Sequence, residues 1–231
     1  MKKVAILQSN YIPWKGYFDL IAAVDEFILF DSMQYTRRDW RNRNRIKTPR
    51  GLEWLSIPVE VKGRYLQKIN ETRSSGGDWR REHWRTLAHN YGKAPHFADQ
   101  AGRFEPLYLA SAETMLSGVN QAFITEICAL LGIRTRITRD SDYPPTEGKT
   151  ERLVALCRAA GADHYLRGPS ARDYIQPELF EQAGIALEYM DYGGYPEYPQ
   201  LHGAFEHGVS ILDLIFSTGA DAPKYMKFAG R

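Results

Sequence analysis

The hydrophobic pattern opens with a short apolar run, Val4 to Leu7, bounded by polar residues, which predicts a buried strand. Gly16 to Val24 then sets Tyr17, Leu20, Ile21 and Val24 at helical spacing, and Phe27 to Phe30 is a second apolar run of strand length. Strand, loop, helix and strand in so short a span open a parallel α/β unit, whose ligands sit in loops at the carboxyl ends of strands. Those loops are 8–14 and 31–35.

Alternation over Asn44 to Thr48 and Glu53 to Val59, around Pro49, Arg50 and Gly51, predicts an inserted β-hairpin. Residues 78–92 and 111–131 read as helices, with Lys93 to Pro106 between them broken by Pro95 and Pro106. The strand and helix pattern then resumes: a strand at Arg134 to Thr138, a helix capped near Thr150, a strand at His164 to Leu166, a helix opening at Pro169 and a strand at Ile185 to Tyr189. A last amphipathic helix spans Ser210 to Phe216 and closes near Gly219. The expected fold is α/β, a Rossmann-like, mostly parallel sheet with an inserted hairpin and a helical middle segment. With no repeat and no linker, residues 1–231 are read as a single domain.

Composition narrows the function classes. Thirty basic against 28 acidic residues leave a net charge of +2, too small for general attraction to nucleic acid, so any basic function is local. Cys128 and Cys157 fall within apolar helical patterns and read as buried thiols, not a disulfide. No stretch has the length of a signal core or a membrane span, which places the chain in the cytoplasm as an expectation.

Four segments could carry chemistry. The first, QSNYIPWKGYFDL from Gln8, runs from a strand through Pro13 into a helix. There Gln8, Asn10, Tyr11 and free helix N–H groups could receive an anionic or carbonyl group, and Gly16 would allow close approach. Trp14 and Tyr17 flank that glycine where nucleotidyltransferases of the HxGH type have histidines. Neither ring offers a cationic donor for a reacting phosphate, so binding fits better than nucleotidyl transfer. A structural role for Trp14, Gly16 and Tyr17 as packing residues fits the same pattern.

The second, residues 31–47, holds Arg37, Arg38, Arg41, Arg43, Arg45 and Lys47 against Asp31 and Asp39. If 41–47 is extended, Arg41, Arg43, Arg45 and Lys47 share one face and Asn42, Asn44 and Ile46 the other. Such a row suits a diphosphate; a charged edge strand would look the same. Gln34, Tyr35 and Trp40 complete the candidate surface, and nucleic acid is disfavoured by the low net charge. In the third, HYLRGPSARDY, a strand ends at Gly168 and the turn after it, with Ser170, free backbone N–H groups and Arg172 close by, could hold an anion, or Pro169 and Ser170 could simply start a helix. The fourth is the tail with His202, His207, Ser210 and Asp213. His202 and His207 lack the spacing of a helical ligand pair, so no metal is expected; His202 is a candidate general base, and Ser210 and Asp213 read as cap and first-turn acid.

Through QSNYIPWKGYFDLI, FDSMQYTRRDWRNRNRIK with WLSIPV, YLRGPSARDYI and YPQLHGAFEHGVSILDLIFSTG, the sequence resembles the WbqC-like protein family, named from surface-polysaccharide (O-antigen) gene clusters. It departs at Ser9, where the family pattern leads one to expect proline. The resemblance implies an enzyme acting on a nucleotide-activated amino sugar, plausible as an N-acyl or aminoacyl transferase. Arg41, Arg43 and Arg45 would hold the diphosphate, Trp14, Tyr17 or Trp40 would stack on a ring, and Asp31 or His202 would take the amine proton. The alternative is a non-catalytic binder of a nucleotide sugar or lipid diphosphate. The donor and any cofactor are unidentified, and a homo-oligomer is left open.

Overall fold

In the computed structural model, which describes residues 1–170 and 175–229, the chain forms β1 (Lys3–Leu7), α1 (Lys15–Ala22), β2 (Glu26–Leu29) and an antiparallel hairpin of β3 (Arg43–Thr48) and β4 (Gly51–Ser56). Three helices follow, α2 (Trp79–Tyr91), α3 (Phe97–Leu109) and α4 (Leu116–Leu130). Then come β5 (Arg136–Arg139), α5 (Thr150–Ala159), β6 (His164–Arg167), α6 (Pro177–Gln182), β7 (Ala186–Tyr189) and α7 (Ile211–Thr218). All five sheet strands are parallel, in the order β5-β2-β1-β6-β7. The chain steps outward from β1 to β2 and β5, then returns to lie beside β1 as β6. The direction of winding therefore reverses between β1 and β6, where open α/β sheets bind their ligands.

Alternation along the central strands divides the core in two. Val4, Ile6, Ile28 and Phe30 pack with Leu153 and Cys157 of α5 and Phe180 of α6, while Ala5, Phe27 and Leu29 pack with α1, α4 and α7. Both cysteines are buried free thiols, each pushed up to about 12 by burial. Among the described residues no helix is long and apolar enough to cross a membrane.

Two expected elements differ. The Lys93 to Pro106 segment is not broken throughout: α3 runs across Pro106. The aromatic packing of Phe97 and Phe104 on Phe216, and of Trp84 on Phe97 and Tyr108, outweighs the single backbone bond the proline forfeits in the last turn. The next helix starts at Leu116 instead of 111, because Met115 and Thr114 pair with Arg73 and Ser74 in extended form. After β6, Pro169 and Ser170 open a 3-10 turn whose continuation lies outside the described residues, and α6 begins at Pro177, with proline in its first turn as expected of an initiator.

Candidate functional site

The loop leaving β1 is fixed from several sides. Ser9 N–H donates to Asp31 Oδ1 at 2.8 Å and Ser9 Oγ accepts from Asn120 Nδ2 at 3.1 Å. Tyr17 OH donates to the Gln8 carbonyl at 3.0 Å, and Asn44 Nδ2 donates to the carbonyls of Tyr11 and Ile12 at 3.1 and 2.9 Å. A proline at position 9 could not donate to Asp31, so the serine departure supplies an anchor of its own. Ile12 sits at φ 37°, a backbone state costly for a β-branched residue and held here by its neighbours, as happens at ligand sites. With the backbone pinned, the side chains of Asn10 and Gln8 turn to the Arg41 guanidinium, which donates to Asn10 Oδ1 and, at 3.4 Å, to Gln8 Oε1. Asp39 lies 3.6 Å from the same group.

Beside this cluster opens a cavity of about 320 Å³ lined by Asn10, Pro13, Trp14, Trp40, Asn44, Arg45, His207 and Gly208. Its volume is at the small end of ligand pockets, suited to one ring or sugar. Trp40 and Trp54 lie 5.3 Å apart; Arg43 covers Trp54 at 4.1 Å, and Arg45 lies 5.8 Å from Trp40. Cations held against aromatic faces keep donors for an anion while their planes are fixed. His207 contributes an imidazole whose Nδ1 is buried without a hydrogen-bond partner among the described residues. Burial, then the nearby Lys15 charge, pulls its pKa below the ordinary histidine value, opposed by Glu197 and Glu206, which favours the neutral imidazole.

The structure redistributes the expected site residues. Arg43, Arg45 and Lys47 do share a strand face, but Arg41 precedes β3 and turns into the β1 loop, so the row of four is split. Lys47 is buried and donates to Gln200 Oε1 and the Ala204 carbonyl, leaving it no reach to a phosphate. Gly16 gives no room for a ligand because the Trp14 indole occupies the space a Cβ would fill. Tyr11 is fully buried, its hydroxyl shared with His83 and Tyr108, and Tyr17 is likewise core. Tyr35 donates to Asn42, which in turn donates to the Ile57 carbonyl, so both brace the loop before the hairpin. Gln34 and Tyr35 line a separate groove with Arg37.

Asp31 is 3% exposed, its two oxygens taken by Ser9 N–H and Ser117 Oγ; burial raises its pKa, opposed by these hydrogen bonds. His202 lies against α2, its Nε2 bonded to the Asn90 carbonyl at 2.8 Å, and does not line the cavity. Gly168 faces the ring of Tyr192, which packs on Trp14 at 5.1 Å and so ties the end of β6 to the first segment. Ser170 is exposed, and Arg172 lies outside the described residues.

Sequence reasoning missed Lys15. It is 2% exposed, donates to the Pro196 carbonyl at 3.0 Å, and has Tyr195, Tyr198 and Phe205 around its ammonium at 4.9 to 5.9 Å. Burial pulls its pKa down to about 8. Only the aromatic spacing of the tail, YPEY followed by Phe205, signals such a cage, and nothing in the sequence says which cation fills it. His207 was visible in the tail but not distinguishable from His202.

The model of the WbqC-like protein family matches residues 8–225. An uncharacterized protein of Mycobacterium tuberculosis (strain H37Rv) is 55% identical over 228 residues, covering 99% of each chain. No solved structure matches.

Proposed function

Because the chain belongs to the WbqC-like protein family, whose name points to polysaccharide biosynthesis and no further, we propose that its cavity binds a nucleotide-activated amino sugar and that an acyl or aminoacyl group is transferred to the sugar amine. The observation that carries this reading is convergence. Asn10 and Trp14 from the loop that leaves the carboxyl end of β1, Trp40 and Arg45 from the basic segment and His207 from the tail surround one cavity. A ring stacks on Trp40 or Trp14, and the diphosphate lies along Arg41, Arg43 and Arg45. His207 takes the proton from the attacking nitrogen as the N–C bond forms and the bond from the acyl carbon to its leaving group breaks. Asp31 acts in this scheme by holding the Gln8 to Asn10 loop, through Ser9 N–H.

Quenching of tryptophan fluorescence by uridine diphosphate sugars, with and without a free amine, tests the site. Trp40→Ala and Arg45→Ala should each weaken binding about tenfold or more. His207→Ala should keep affinity and lose transfer, followed by mass spectrometry with thioester and aminoacyl donors. Equal saturation of the Trp40→Ala, Arg45→Ala and native proteins would sink the site. Binding without transfer from any donor would instead identify a carrier of the same ligand.

A further inference from the structure

The basic segment at 31–47 is only partly used by the cavity above. Gln34, Tyr35 and Arg37 face a groove of about 370 Å³ whose far wall carries Arg64 and Tyr65. At its rim the chain makes a tight turn through Gly63, at φ 71°, and presents Tyr65 at 82% and Leu66 at 75% exposure. Apart from Met1, every other large exposed apolar residue described is below half exposed. The turn is not frayed: Arg64 N–H donates to the Val61 carbonyl, Gln34 Nε2 to the Tyr65 carbonyl at 3.0 Å, and Tyr35 N–H to the Gln67 carbonyl at 2.9 Å.

Charge surrounds this apex. Lys62, Arg64 and Lys68 lie on the turn and Arg37 and Arg38 on the neighbouring segment. Arg64 pairs with Glu60 at 3.3 Å and Lys68 meets Glu71 only at 4.0 Å. Arg37, Arg38 and Lys62 have no ion pair among the described residues. Folding alone gives no reason to hold two adjacent apolar side chains in water beside Arg37 and Arg64.

We propose that this tip docks on an anionic membrane surface, with Tyr65 and Leu66 entering the boundary between headgroups and acyl chains and a lipid phosphate seated between Arg37 and Arg64. Tyrosine suits that boundary because its ring is apolar and its hydroxyl stays hydrated. Arginine and lysine near anionic lipid each strengthen partitioning about fivefold, and weak insertion combined with weak electrostatics gives reversible anchoring. A protein partner fits less well, because a stable interface needs a continuous face of about 800 Å² per side and two projecting side chains make an apex.

The test is co-sedimentation of the full chain with vesicles of phosphatidylcholine alone or mixed with phosphatidylglycerol. Binding is expected only to the anionic vesicles, weakening as salt rises. Tyr65→Ser with Leu66→Ser should reduce it at least about tenfold, as should Arg37→Glu with Arg64→Glu. Tyr65, Leu66, Arg37 and Arg64 are all exposed, and the second variant gives up only the exposed pair of Arg64 with Glu60, so melting temperature should change little in either variant. Equal binding to neutral vesicles, retention by the Tyr65 and Leu66 variant, or no binding to either vesicle overturns the proposal. So does saturation of the groove by inorganic phosphate without vesicle binding, which would mark a site for a free anion.

Discussion

Lys15 is costly to place, since its ammonium is buried with one carbonyl and three aromatic faces as partners. Its folded pKa of about 8 is below the ordinary 10.5. Between those values the unfolded chain carries a proton that the folded chain has released, so this residue makes stability rise as pH climbs through that window. Urea unfolding of the native protein and Lys15→Met across it should give a native-minus-variant difference that increases toward high pH. A flat difference would mean the ammonium is well solvated. The same ammonium adds to burial in lowering the His207 pKa, so Lys15→Met should also raise it, readable by NMR titration of the ring.

At the level of elements, the hairpin, α2, α7 and the tail meet on one buried carboxylate. Tyr91 of α2 donates to Asp213 Oδ2 at 2.8 Å and accepts from Lys47 N–H at 2.9 Å, while Tyr198 donates to Asp213 Oδ1 at 2.8 Å. Burial raises the Asp213 pKa, and the two hydroxyls oppose that rise. Asp213 had read as a first-turn acid; its larger job is to join four segments, whereas Ser210 does cap α7, accepting from Leu212 N–H at 3.3 Å. Tyr91→Phe should cost about 1–3 kcal/mol in urea unfolding, because it leaves both Lys47 N–H and one Asp213 oxygen unpaired. The hairpin carries Arg43 and Arg45, so loosening this junction should also weaken nucleotide-sugar quenching without touching a cavity residue.

Across the whole molecule, α1 near the start of the chain holds its far end. Asp19 accepts N–H bonds from Lys227 at 2.7 Å, Phe228 at 2.9 Å and Ala229 at 3.2 Å. Asn at position 19 retains one acceptor and turns a donor toward another donor. Asp19→Asn is therefore expected to cost about 1.5–3 kcal/mol, with amide exchange at 227–229 accelerated and the sheet amides of β1 unchanged. Uniform acceleration throughout would show that the chain end is part of the global folding unit.

The sequence by itself determined the parallel α/β order, both cysteines as core thiols, the hairpin and the family, because periodicity and local turn chemistry are written into neighbouring residues. It also marked Gln8, Asn10, Trp14, Trp40, Arg41 and Arg45 as a candidate surface. Only the tertiary structure decided that Lys47, Tyr11, Tyr35 and Asn42 are spent on internal hydrogen bonds, that Gly16 is filled by its own neighbour Trp14, and that His207 and not His202 lines the cavity. The reason is physical. A polar side chain is free for a ligand only if no other segment satisfies it, and the satisfying partner need not be near in sequence: Gln200 for Lys47 and Asn90 for His202 each lie more than a hundred residues away.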